Sequence, residues 1–362
     1  MMMRKLAVLL LCVMLLAFAA ACGNESASNQ ANTPPANALA ANASGETGAK
    51  SGTEPAGQGE AVTVKFSEVI RSIFYAPHYV AIQQGFFAEE GLAIDMNTAQ
   101  GSDKGAAALI AGTADISLVG PETAIYIFNQ EGDKKIKIFH QLTMKDGSFL
   151  LSREKLDNFK LTDLAGKTII GWRPGSAPQM VLNSQLLKEK VTDVKVITNL
   201  ASPAMAGAFA SGQGDFIQLY EPVSSKLEKD GVAHYVASMG EVFGSFPETS
   251  YVATADFINQ HPEVIQKFVN AVAKGTKWIQ SASDEEIAAA LMPFFEGTPK
   301  ELIIQSVARY KNQGTWAPVP ELTAESFATL QNVLIENGVL KPEEKISNID
   351  DVVDMSFVKN LK

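Results

Sequence analysis

Cysteine is almost missing from this chain: of 362 residues only Cys12 and Cys22 are cysteines, and none follows residue 22. A folded part without thiols excludes disulfides, zinc-thiolate sites, iron-sulfur clusters and a cysteine nucleophile. It suits an export compartment, where stray thiols would be oxidised. Histidine is nearly as scarce, with His78, His140, His234 and His261 scattered singly. No His-Glu-x-x-His pair, Gly-x-Ser-x-Gly elbow or phosphate-cradling glycine loop occurs, so neither a metal, a cofactor nor catalysis is expected. Ser152 and Lys155 have a Ser-x-x-Lys spacing without the motifs that accompany it in penicillin-binding enzymes, and they read as the start of a surface loop. Basic residues are in deficit too, 30 against 40 acids, for a formal charge of −10. Such a surface repels nucleic acid and anionic headgroups.

Long apolar runs are also lacking, except one at the start. Residues 6–21 are apolar behind Arg4 and Lys5, and the run closes in Ala19-Ala20-Ala21-Cys22-Gly23. It is shorter than the ~20 residues that span hydrocarbon. With small residues at Ala19 and Ala21 it reads as a cleaved lipoprotein-type signal over 1–21, with Cys22 as acyl acceptor and new N-terminus. Two acyl chains on a Cys22 thioether diacylglycerol suffice for stable anchoring. The expected location is therefore the extracytoplasmic face of the cell membrane. Losing Arg4 and Lys5 leaves −12, because residues 1–22 hold no acid. Residues 22–60 are rich in Ala, Asn, Ser, Gly and Thr and read as a flexible lipidated tether with a reach of roughly 35 Å.

The remaining body, about 300 residues, is large enough to divide into two lobes. Strands are expected at 62–66, 92–98 and 116–119, alternating with helices at 78–89 and 104–111. That alternation calls for mostly parallel sheets flanked by helices. An internal repeat sharpens this: Ala111-Gly112-Thr113-Ala114-Asp115-Ile116 returns one hundred residues later as Ser211-Gly212-Gln213-Gly214-Asp215-Phe216. Ile94 and Met96 match Val194 and Val196, and the loop Gly120-Pro121-Glu122 falls opposite Tyr220-Glu221-Pro222. The glycine of each unit suits a helix end that needs a left-handed residue. Two lobes built alike direct the carboxyl ends of their strands to a shared cleft, where open α/β sheets bind ligands.

Further motifs are Tyr75-Ala76-Pro77-His78-Tyr79 running into Gly85-Phe86-Phe87-Ala88-Glu89-Glu90-Gly91-Leu92, then Leu164-Ala165-Gly166-Lys167, Gly171-Trp172-Arg173-Pro174-Gly175-Ser176 and Tyr220-Glu221-Pro222. On these residues the chain resembles the substrate-binding lipoproteins of bacterial ATP-driven (ABC) importers, in the branch that binds sulfonates, taurine, nitrate and the pyrimidine precursor of thiamine. The resemblance implies a two-lobed periplasmic binding protein type II-like α/β fold with two chain crossings. Lobe one would take 61–145 plus 250–362, and lobe two 146–249, with crossings near 143–150 and 246–251. Amphipathic helices at 262–279 and 324–337 would buttress lobe one. The implied partners are a small solute and a permease with its ATPase, the binder acting as a monomer.

Candidate ligand-binding residues lie in loops after strands. They are Arg71, Tyr75 and His78, Gly101 and Ser102, and Gly120, Glu122 and Thr123 in lobe one. In lobe two they are Trp172, Arg173, Ser176, Gln179, Ser202, Tyr220 and Glu221. Helices opening at His78, Thr123, Ala177 and Val223 would offer free N-H groups to an acceptor, and Arg173 a bidentate grip on an oxyanion. Trp172, Tyr75 and Tyr220 would sandwich a flat ligand. Each has a structural counterpart reading: Arg71 and Arg173 as salt bridges, His78 as a half-buried helix start, Glu221 as a helix cap.

Glu122 and Glu221, at nearly corresponding loop positions, bear on ligand charge. A carboxylate left unpaired in a closed cleft repels a pure anion and is satisfied by N-H donors. A pyrimidine of the thiamine-precursor type or an aminosulfonate fits. If both acids pair internally with Arg71 and Arg173, an alkylsulfonate or nitrate fits instead. Two other classes stand beside import: an extracytoplasmic ligand sensor, and a pyrimidine-synthase-like enzyme, against which the missing cysteines speak.

Overall fold

The computed structural model describes residues 60–130 and 132–361. The signal, Cys22 and almost all of the tether lie outside them. Among the described residues no helix is long and apolar enough to cross a membrane.

Among the described residues, ten strands form two five-stranded mixed sheets. The first contains β1 (Val62–Glu68), β2 (Leu92–Thr98), β3 (Ile116–Val119), β4 (Ile136–Thr143) and, much later in the chain, β10 (Thr249–Thr254). The second contains β5 (Phe149–Ser152), β6 (Thr168–Ile170), β7 (Lys195–Ile197), β8 (Phe216–Leu219) and β9 (His234–Ser238). Their orders are β2-β1-β3-β10-β4 and β7-β6-β8-β5-β9. In each sheet one strand is reversed against both neighbours, β10 in the first and β5 in the second. These are the strands that follow a passage of the chain from one sheet to the other.

The internal repeat falls on matching elements: β2 on β7, helix Ser102–Ala111 on helix Ser202–Ala210, and β3 on β8. Its aspartates do the same work in both. Asp115 Oδ2 accepts from the Lys65 N-H at 2.8 Å, and Asp215 Oδ2 accepts from the Thr168 N-H at 2.8 Å. Each carboxylate thus satisfies a backbone N-H of the neighbouring parallel strand, in the middle of β1 and at the start of β6. Gly112 ends its helix at φ 74°, a conformation that would strain a side chain.

Between the sheets the two crossing segments lie side by side. The Thr143 and Thr249 hydroxyls meet at 2.7 Å, the Thr249 N-H donates to Thr143 Oγ1, and the Phe246 N-H donates to Met144 O.

The expected helix over 78–89 is two helices, Ala76–Gln83 and Phe86–Glu89, broken at left-handed Gly85. Helix Pro262–Ser281 buries Val264, Ile265, Phe268, Val269 and Val272 along one face, each contributing about 1.5–3 kcal/mol if fully removed from water. Two other tail helices do more than buttress the first lobe. Arg309 in helix Lys300–Gln313 pairs with Glu221 and Glu228. Beyond helix Ala324–Glu336, Asn337 Nδ2 donates to Ser184 Oγ, and Ser184 Oγ donates to Glu336. The tail therefore bridges the lobes.

Candidate functional site

The carboxyl ends of β1, β2 and β3 on one side, and of β6, β7 and β8 on the other, open onto a cavity of about 260 Å³. Three helices start at its wall: Ser102–Ala111, Ala177–Lys188 and Ser202–Ala210. None has a side-chain cap, so their first N-H groups are left to solvent, a ligand or, at Ala177, the nearby Glu122 carboxylate.

Ten of the sequence-predicted residues line this cavity: Tyr75, Gly101, Ser102, Gly120, Glu122, Trp172, Arg173, Ser176, Ser202 and Tyr220. Five do not. Arg71 donates through Nε to Glu68 Oε1 at 2.7 Å, in a cluster where Tyr79 and Thr98 also bond to Glu68. His78 is a core residue, stacked on Phe66 at 4.0 Å with Nδ1 3.1 Å from the Tyr251 hydroxyl. Burial lowers its pKa to about 3, so it is neutral. Thr123 is buried in the first turn of helix Glu122–Phe128. Gln179 stands behind the wall, its Oε1 accepting from the Trp172 N-H at 2.9 Å, and so supports a lining residue.

Glu221 is turned away from the cavity. Its side chain is fully buried, 2.7 Å from Arg309 Nη1, and accepts from Ser225 N, Ser225 Oγ and Ser306 Oγ. The expectation of two free acids thus fails at Glu221. The cation that neutralises it comes from the tail, 88 positions along the chain.

Glu122 is the opposite case. It is 1% exposed and its Oε2 has no hydrogen-bond partner. Burial raises its pKa to about 7, against lowering by Arg173 and the Ala177 backbone. Its carboxylate folds back over Gly120, where a Cβ would collide with both oxygens. Arg173 itself lies at the mouth, Nε 3.6 Å from Asp103 Oδ1, with both side chains well exposed.

Sequence reasoning missed Glu248 and Thr249, which line the cavity from the second crossing. Glu248 is 2% exposed, accepts from the Tyr220 hydroxyl, and accepts from the Gly147 N-H at 2.6 Å. Burial, then the charge of Asp146, raises its pKa well above the ordinary carboxylate value. Trp172 and Tyr220 meet nearly perpendicular, 75° at 5.1 Å. That edge contact leaves no slot between them for a flat ring, contrary to the expected sandwich, although each offers a face. The Trp172 indole N-H is buried without an acceptor. The wall therefore presents one orphaned acceptor, on Glu122, and one orphaned donor, on Trp172.

A two-lobed α/β body with a cleft of this composition is the architecture of periplasmic binding proteins, and the chain belongs to the NMT1/THI5-like family, whose profile matches residues 73–286. Among curated relatives it is 40% identical over 280 residues to the Bacillus subtilis (strain 168) protein described as "Putative binding protein YtlA", covering 76% of this chain and 84% of that one. The fold is shared with the alkanesulfonate-binding protein SsuA of Xanthomonas axonopodis pv. citri, solved bound to MOPS (TM-score 0.67, 17% identity, 82% of this chain and 100% of that chain). It is shared also with the nitrate-binding protein NrtA of Synechocystis PCC 6803 (TM-score 0.68, 17% identity, 83% and 88%).

Proposed function

We propose that this protein is a lipid-anchored extracytoplasmic binder that closes on a small organic solute and hands it to the permease of an ABC importer. The solute carries N-H donors, as a thiamine pyrimidine precursor or an aminosulfonate does. The observation that carries this reading is Glu122, a buried carboxyl with an unpartnered oxygen in the wall of the interlobe cavity. A donor satisfies that oxygen, whereas a pure anion beside it would meet a like charge or hold the carboxyl protonated. The relatives support capture for import: YtlA is described as a binding protein, and the structural neighbours bind alkanesulfonate and nitrate.

Three uncapped helix starts and Arg173 favour a second reading, an alkylsulfonate or nitrate held at the mouth. An aminosulfonate meets both demands, with its amine toward Glu122 and its sulfonate toward the helix starts. Nothing in either reading requires the chain to break a bond.

Thermal shift with thiamine pyrimidine precursors, aminosulfonates, alkylsulfonates and nitrate tests the ligand class. Stabilisation by the donor-bearing compounds supports it, and stabilisation by nitrate or alkylsulfonates alone rejects it. For the anchor, Cys22→Ser should move the protein out of the membrane fraction; an unchanged fraction would reject lipidation.

A further inference from the structure

Resting on that reading and extending it, we infer that Glu122 holds a proton in the empty cleft and releases it on capture, so that the solute presents a protonated amine or amidinium to this carboxylate. The ammonium replaces the proton: a carboxylic acid and an organic cation become a carboxylate-cation pair, and one proton passes to solvent. No electrons move and the charge of the pocket is unchanged.

The surroundings of Glu122 carry the inference. Tyr75, from the turn Ile73–Tyr75, and Glu248, from the second crossing, face the same cavity. Tyr126, on the same helix as Glu122, donates its hydroxyl to Gly175 O at 3.0 Å instead, and the Tyr220 hydroxyl is committed to Glu248. The cations of the wall are Arg173 and Lys104, and Arg173 is shared with Asp103 and well solvated. Glu122's own N-H, Arg173 and the Ala177 N-H favour its ionised form, but burial outweighs them, and an ionised Glu122 would sit near a second acid with one oxygen unsatisfied, which is costly in a protein interior. Protonation removes that cost in the empty protein, in agreement with its raised pKa of about 7. A neutral ligand would leave the proton in place, and an anion would tighten the protein's hold on it. Only a cation with N-H donors displaces it while keeping the pocket neutral.

The test uses the full chain in detergent with three probes: taurine, an aminomethyl-aminopyrimidine and methanesulfonate. Carbon-13 NMR of the glutamate carboxyls, with E122Q to identify the signal, should show Glu122 titrating near neutrality. Titration in the ordinary carboxylate range would overturn the inference whichever probe binds. Calorimetry in two buffers of unequal ionisation enthalpy should show proton release with the amine probes near pH 6 and little near pH 8. Affinity should tighten about tenfold across that range, and E122Q should abolish both effects. Binding of methanesulfonate alone, tightening as pH falls, would overturn the inference and leave a solute binder of the anion class. Amine binding without proton release would overturn the proton exchange and leave the donor-bearing solute standing. If none of the three binds, both the inference and the proposed ligand class fall.

Discussion

Glu122 and Glu221 occupy nearly corresponding positions, one residue apart in register, in two copies of one structural unit, the loop after the third strand of each lobe's parallel set, and they have opposite fates. Glu221 meets a guanidinium, two serine hydroxyls and a backbone N-H. Glu122 has an orphaned oxygen. Part of that protection is local, from Ser225 on the helix that follows Glu221, but the charge compensation is not, since strand order and the paired aspartates match in the two lobes. It comes from helix Lys300–Gln313, part of a tail with no counterpart in the repeat, which delivers Arg309 to one loop and nothing to the other. A duplicated architecture thus acquires one structural acid and one acid available to a ligand through a third, unduplicated element.

The strongest way to break the comparison is Arg309→Ala, which strips Glu221 of its cation while leaving it buried. Loss of about 3–5 kcal/mol is expected in denaturant unfolding. A loss under 1 kcal/mol would mean that Glu221 is not held by this pair. The mirror experiment has the opposite sign. Glu122 is raised from 4.5 to about 7, so its contribution favours the fold below pH 4.5 and is lost as pH rises through 7. Glu122→Gln should therefore match the parent at pH 4 and exceed it at pH 8 by about 3 kcal/mol, read as melting temperature against pH. Glu221→Gln, which leaves the Arg309 guanidinium without its buried carboxylate, should lower stability and so keep the two acids distinct.

Gly120→Ala acts on the position of Glu122 alone, since the added methyl would collide with its carboxylate oxygens. Affinity for an amine-bearing solute should drop about tenfold, equivalent to 1.4 kcal/mol, with the fold retained by circular dichroism. The smallest effect belongs to Asp103→Ala, which opens an exposed ion pair with Arg173 at the mouth. Under 1 kcal/mol of stability is expected, and that small difference should vanish in high salt.

What was legible in advance follows from locality. The Gly-x-small-Asp-apolar string marks both Asp115 and Asp215 because a helix end, a turn and a strand start must be encoded within a few residues. Loops at the ends of strands could be named for the same reason, and Trp172, Arg173, Ser176 and Glu122 do lie together at the cavity. Long-range partnerships were hidden. Arg309 sits on an ordinary amphipathic helix, and no local pattern ties it to a loop 88 positions earlier. Glu248 reads as part of a crossing, and only tertiary folding lays it against Tyr220. His78 follows a proline at a helix start, a plausible loop-edge position, yet the packing of Phe66 and Phe268 encloses it in the core.

The paired hydroxyls of Thr143 and Thr249 have a mechanical meaning. Two independent tethers would let the lobes twist, slide and gape in several ways. Two segments laced together by hydroxyl and backbone bonds resist sliding past each other, and the tail contacts at Glu221 and Ser184 restrain the lobes at two further points. Closure on a solute, as proposed, would bend that laced seam and load those tail contacts together.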